Sequence, residues 1–193
     1  MNGLYQAHQE LRTVERAIER MEKAQSFEIY EENWKIVLVS LEKSWVKAEQ
    51  YFKELSSRFQ PWQGAYEKQR KDLMYLRYLK HARDADTHTV QMMTSVMPGM
   101  VLFNPPVPGG CLHIESMVED AAGNIHYRGG PAVITERKPF PIAVKVKSRG
   151  VWYEPPATFR DEFGTHSSPL HLAKGGLKYY SDFLKKAESE FCT

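Results

Sequence analysis

Side chains able to move protons and hold anions concentrate in one stretch, Arg77-Tyr78-Leu79-Lys80-His81-Ala82-Arg83-Asp84-Ala85-Asp86-Thr87-His88. At about 100° per helical residue, Tyr75, Tyr78, Leu79, Ala82, Ala85, Thr89, Val90 and Met93 share one arc. Arg77, His81, Asp84 and His88 share the other, and Arg83 falls at the edge between them. Two chemistries fit. In the first, Arg83 and His88 act as a pair: an imidazole exchanges protons near neutral pH, and a guanidinium holds a phosphate through two hydrogen bonds. That combination suits phosphodiester cleavage. Five residues apart, the two lie about 140° apart around the axis, so they converge only in a groove made with another helix or a second subunit. Asp84, four residues before His88, is placed to accept from the imidazole and fix its tautomer. In the second chemistry His81, Asp84 and His88, at i, i+3 and i+7, are ligands for zinc, iron or another divalent metal, completed by His8 or by a Glu from the first two helices. Three ligands from one helix are demanding, since i to i+7 spans roughly 10 Å of rise.

The segment Arg83-Asp84-Ala85-Asp86-Thr87-His88 resembles the motif of the HEPN superfamily, an arginine, a polar residue, a few further residues and a histidine on a bundle helix. The resemblance covers the helical part of the chain. Many members of that superfamily are metal-independent RNases, often toxins or defence proteins, with the active site formed across a dimer interface. It implies that His88 assists attack of a ribose 2′-hydroxyl on the adjacent phosphate while Arg83 stabilises the developing charge. It also implies RNA as substrate, a homodimer, a possible protein partner such as an antitoxin, and no cofactor. Some members only bind, so a non-catalytic interaction protein with the same bundle is the alternative from another class.

A plainer reading makes Arg77, Lys80, His81, Asp84 and His88 a solvated face whose ion pairs each contribute under about 1 kcal/mol. Asp86 stands against it: within the apolar arc it needs a partner, or that arc is an interface. Elsewhere, Cys111 and His113 have strand spacing, but a buried cysteine beside an edge histidine is commoner than a nucleophile with its base. The pairs Gly109-Gly110, Gly129-Gly130 and Gly175-Gly176 lack the Lys-Ser/Thr of a phosphate loop and read as turns and, for the last, a close helix contact. His166 and His171 flank a helix start whose amides can bind an anion, though a surface position is commoner. Trp152, Tyr153, Phe159 and Phe163, with Arg149 and Arg160, suit either stacking on RNA bases or packing of a sheet on the bundle.

The elements that position these residues follow from periodicity. Leu4, Ala7, Leu11, Val14, Ile18 and Met21 mark a helix over about 3–25. Trp34, Leu38, Leu41, Trp45, Ala48, Phe52, Leu55 and Phe59 mark a second, long helix antiparallel to the first. Gln60-Pro61-Trp62-Gln63-Gly64 ends it. A third is expected from Ala65 to Met97, stopped by Pro98-Gly99. Alternation from Cys111 to Val118, a Gly123-Asn124 turn and the return at Ile125 to Tyr127 predict a hairpin. Ile142 to Lys147, a Ser148-Arg149-Gly150 turn and Val151 to Tyr153 extend a small, mostly antiparallel sheet. Ser168-Pro169 opens a last helix with the stripe Leu170, Ala173, Leu177, Tyr180, Leu184, Ala187 and Phe191.

The expected fold is therefore α+β: a helical bundle over 1–97, a β-rich insertion over 98–168, and a C-terminal helix over 169–193 returning to the bundle. The 193 residues, 42% hydrophobic and 26% charged, exclude disordered, collagen-like and disulfide-scaffold classes. With 26 Lys and Arg against 24 Asp and Glu, net charge +2 singles out neither nucleic acid nor membrane, so a partner must be argued from a local site. Two distant cysteines, no signal-peptide pattern and no run of roughly 18 apolar residues give the expectation of a cytoplasmic protein with reduced thiols and no membrane partner.

Overall fold

The computed structural model describes residues 3–161, 164 and 166–192. The protein has an α+β fold, with five helices and small antiparallel ladders among the described residues. Helix α1 (Gly3–Glu22) buries Ala7, Leu11, Val14, Ala17, Ile18 and Met21, the three-four stripe of its sequence. Helix α2 (Phe27–Leu55) opens on Ser26, whose side chain accepts from the Ile29 amide. The two run antiparallel: a Cβ on Gly3 would lie 3.2 Å from Tyr51 Cβ, and four residues further along α1 the Ala7 carbonyl accepts from the Ser44 hydroxyl at 3.1 Å. Helix α5 (Pro169–Phe191) starts as expected, with Ser168 accepting from the His171 amide and proline in the first turn.

The middle of the bundle departs from expectation. Helix α2 ends at Leu55, and Pro61 sits in the first turn of α3 (Phe59–Asp72), where its missing N–H removes no helical hydrogen bond. The single helix expected over 65–97 is α3 followed by α4 (Met74–His88), broken at Leu73, whose backbone is extended. Neither glycine nor proline marks that break.

The chain divides into two compact units, Met1–Ser95 with Pro141–Thr193, and Val96–Phe140. In the first, Trp34, Phe52, Phe59, Leu41, Leu76, Tyr78 and Phe183 are fully or almost fully buried, and each such side chain contributes roughly 1.5–3 kcal/mol. Trp45 stacks on Phe183 with centroids 4.3 Å apart. Gly176 is the close contact expected of that pair: a Cβ there would lie 2.8 Å from Leu41 Cδ1 and 2.9 Å from Leu79 Cδ1. A buried arginine joins three helices. Arg70 donates to the Tyr180 hydroxyl at 3.2 Å and to Glu42 of α2, with its guanidinium carbon 4.2 Å from the Trp45 ring centroid. Burial pulls the Arg70 pKa down, but Tyr180 and Glu42 outweigh it and hold the pKa above its ordinary value.

Among the described residues the β elements are four two-stranded ladders and not one sheet. Strand β1 (Thr94–Met97) pairs with β6 (Phe140–Ala143). Strand β2 (Met100–Asn104) pairs antiparallel with β5 (Val133–Arg137), enclosing the hairpin of β3 (Ile114–Glu119) and β4 (Ile125–Gly129). Every residue of β3 is exposed, so that hairpin offers no buried face on which a wider sheet could build. Its turn is where Gly123-Asn124 places it: Gly123 has φ +84°, and the Asp120 carboxylate accepts from the Ala122 and Asn124 amides. Strand β7 (Val146–Ser148) pairs antiparallel with β8 (Val151–Tyr153) through the expected tight turn. This last hairpin belongs to the first unit and packs on α4.

Candidate functional site on helix α4

Helix α4 carries the motif in its last two turns. It stops without glycine because Thr89, extended, donates both its amide and its hydroxyl to the Ala85 carbonyl, at 2.9 and 2.7 Å. Thr87 makes the same backward bond to the Arg83 carbonyl at 2.9 Å. His88 is therefore the terminal helical residue, a position where the helix dipole favours a cation.

Arg83 turns toward α2. Its Nη2 lies 3.3 Å from Asp84 Oδ1 and 3.8 Å from Glu42 Oε1, while its buried Nε–H has no acceptor among the described residues. An unmet buried donor costs about 1–3 kcal/mol. The guanidinium lines a cleft of about 470 Å³ between α2 and α4, with Val39, Glu42, Val46 and Thr87. His88 is exposed and lies outside that lining, without a hydrogen bond or ion pair among the described residues. Within one chain, then, Arg83 and His88 diverge as their spacing requires. Asp84 is buried and holds Arg83, not His88, so its expected role in fixing the His88 tautomer is not the one it plays here.

His81 does not join a metal-ligand set either. Its ring stacks on Tyr153 with centroids 3.6 Å apart, and its Nδ1 is 3.3 Å from Ser148 Oγ. Burial lowers its pKa, Lys80, Arg149 and Arg77 push the same way, and Asp84 opposes them. Among the described residues no three His, Cys, Asp or Glu side chains are placed to share a metal ion. His8 pairs instead with Glu188 at 2.5 Å.

The face expected to be solvated is thus half covered, because the β7–β8 hairpin lies on it. Arg77 and His88 remain exposed, while Asp84 is buried and His81 half-buried. Asp86, expected to need a partner, is half-exposed and has none among the described residues. Glu42, which reaches Arg83 and Arg70 from another helix, escaped sequence reasoning, for no local spacing marks it.

The weaker candidates separate cleanly. Cys111 and His113 precede β3, and both are exposed, so neither a strand pair nor a buried cysteine is present. His171 Nδ1 lies 2.7 Å from the Arg160 carbonyl, and Arg160 donates to the Ala157 and Gly164 carbonyls. Phe159 packs on Tyr75 and Gly175, and Tyr153 on His81. Phe163 lies outside the described residues. Trp152 alone of the described aromatics in that group is open, 53% exposed. No described helix is long and apolar enough to cross a membrane. No protein-family model, curated protein or solved structure matches the chain.

Proposed function

We propose that this is an RNA-acting protein of the HEPN kind, an endoribonuclease of toxin or defence type in which Arg83 and His88 work at an interface between two copies of the chain. One observation carries the reading: Arg83 lines an open cleft, and His88, at the end of the same helix, is exposed and has no hydrogen bond or ion pair among the described residues. A guanidinium at a cleft suits an incoming phosphate, and an exposed imidazole suits proton transfer. Because the two diverge within one chain, the site needs a second copy to bring a histidine to an arginine. His88 takes the proton of a ribose 2′-hydroxyl, that oxygen attacks phosphorus, and the P–O5′ bond breaks to leave a 2′,3′-cyclic phosphate. The departing 5′-oxygen takes a proton from water or from the other copy's imidazole, and the guanidinium stabilises charge on the phosphoryl oxygens.

A second reading, a non-catalytic interaction protein, draws on a different observation: Asp84 and Glu42 already lie within 4 Å of Arg83 and offset its charge. Incubation with mixed-sequence RNA in excess EDTA separates the readings. Cleavage that survives EDTA and is abolished by His88→Ala is the result expected of the first, together with a dimer by sedimentation. Cleavage lost on chelation points to a metal enzyme, and folded dimeric protein that leaves every RNA intact points to the second reading.

A further inference from the structure

On the side of α4 away from the Arg83 cleft, a cavity of about 370 Å³ opens between the start of the helix and strand β8. Met74, Tyr78, Val151 and Trp152 line it, and Arg77 and Glu154 supply the charges. Trp152 is more than half exposed, whereas Trp34 and Trp45 are buried and Trp62 is half-buried. Lysines flank it: Lys147 is its cross-strand partner in the β7–β8 register, and the Lys145 and Lys147 ammoniums lie 5.2 and 5.9 Å from its ring centroid. Arg149 at the turn and Arg77 and Lys80 on α4 place three more cations near enough to act on His81. None of these five forms an ion pair among the described residues, although ion pairs are common elsewhere on this surface. Arg149 moreover holds φ +50°, a left-handed conformation that costs a residue with a Cβ roughly 1–2 kcal/mol and that Asn or Gly adopts readily.

A half-exposed tryptophan with two lysine ammoniums against its ring, at the rim of a cavity that Arg77 also lines, has the chemistry of a platform for single-stranded nucleic acid. We infer that the β7–β8 hairpin and the facing side of α4 bind a short segment of single-stranded RNA, with one base stacked on Trp152 at the cavity mouth. Arg77, Lys145, Lys147 and Arg149 hold the flanking phosphates, and Glu154 accepts from an amino or imino N–H of the seated base. The inference rests on the RNA-acting reading and deepens it. Arg77 and His88 share one arc of α4 and are about 16 Å apart along its axis. A strand anchored at Trp152 therefore reaches His88 within a few nucleotides, and the anchor sets the distance from bound base to cut phosphate.

The test is fluorescence anisotropy of a labelled 2′-O-methyl oligouridine, which cannot be cleaved, with the full chain. Trp152→Leu is expected to weaken binding about ten-fold or more and Trp152→Phe to restore most of it, both folded by circular dichroism. Lys145→Glu with Lys147→Glu is expected to weaken binding and reduce the dependence of log affinity on log salt by about one per lysine. His88→Ala is expected to bind as wild type, so loss of cleavage and loss of this site are read separately. Equal affinity of wild type and Trp152→Leu, or no binding by wild type at low salt, overturns the inference. Vesicles containing phosphatidylserine are the parallel arm: a Trp152 dependence seen there and not with the oligonucleotide overturns it in favour of a lipid surface.

Discussion

The imidazole of His81 lies flat on the phenol of Tyr153, ring centroids 3.6 Å apart and planes 13° from parallel. This contact ties the β7–β8 hairpin to α4, and the surroundings of the ring favour its neutral form. Burial disfavours the imidazolium, three nearby cations add to that, and Asp84 only partly opposes them. The folded pKa thus lies below the unfolded one, near 6.5. Stability from this group is present above about pH 6.5 and is lost as pH falls through the lower folded pKa, because the unfolded chain binds the proton first. His81→Phe keeps an aromatic stack and removes the titration. Urea unfolding from pH 8 to 5 is expected to show wild type losing stability relative to His81→Phe below about pH 6.5; parallel curves would remove the argument.

Arg83 and His88 differ as mutational targets, which matters for any activity assay. His88 is exposed and has no partner among the described residues, so His88→Ala is expected to change unfolding free energy by less than about 0.5 kcal/mol. Arg83→Ala leaves the buried Asp84 carboxylate without its neighbouring charge and is expected to cost about 1–3 kcal/mol. Chemical denaturation of both variants checks this. A destabilised His88→Ala would mean that the histidine is packed against something, and its loss of activity would no longer report on proton transfer.

These two residues also show how far the sequence could be read. Their 140° divergence follows from spacing alone, and the structure holds them apart accordingly. What spacing could not show is that Glu42, forty-one residues earlier, faces Arg83, or that the hairpin after Ala143 covers His81. Both are tertiary contacts between elements with no shared pattern. Helices α1, α2 and α5 were legible because a full apolar stripe and, for α2 and α5, a serine cap make the same statement. The end of α4 was not. Val90 and Met93 continue its apolar period, yet Val90 is fully exposed, and the stop comes from a threonine that binds back onto the helix. Pro61 misled in the opposite direction, since proline is acceptable in a first turn and only an interior position breaks a helix.

Arg70 is the interior charge on which three helices depend. Its side chain is 9% exposed and that of Glu42 15%, and Arg70 also donates to the Tyr180 hydroxyl and lies over the Trp45 face. Arg70→Ala leaves a nearly buried carboxylate with only Arg83, 3.8 Å away, to offset it, and an unmet phenol, and it is expected to cost about 3 kcal/mol. The double variant Arg70→Met with Glu42→Gln removes both charges while keeping volume, and it is expected to recover much of that loss. Equilibrium denaturation of the single and double variants decides it; equal destabilisation would show that packing, and not the stranded charge, sets the cost.

Arg149 sets stability against binding on one residue. The turn Ser148-Arg149-Gly150-Val151 has two central residues with positive φ, +50° and +83°, the geometry in which Asn-Gly is favoured. An arginine there costs the hairpin and supplies a cation beside Trp152, so strain and charge belong to the same side chain. Arg149→Asn is expected to raise unfolding free energy by about 0.5–1 kcal/mol, to leave the β7–β8 register intact, and to weaken oligouridine binding with a salt dependence lowered by about one phosphate contact. Denaturation and anisotropy on the same preparation read both effects. A variant that is more stable and binds as tightly would show that the arginine is only a poor turn residue. One that is no more stable would show that its backbone is relaxed where φ +50° says it is not.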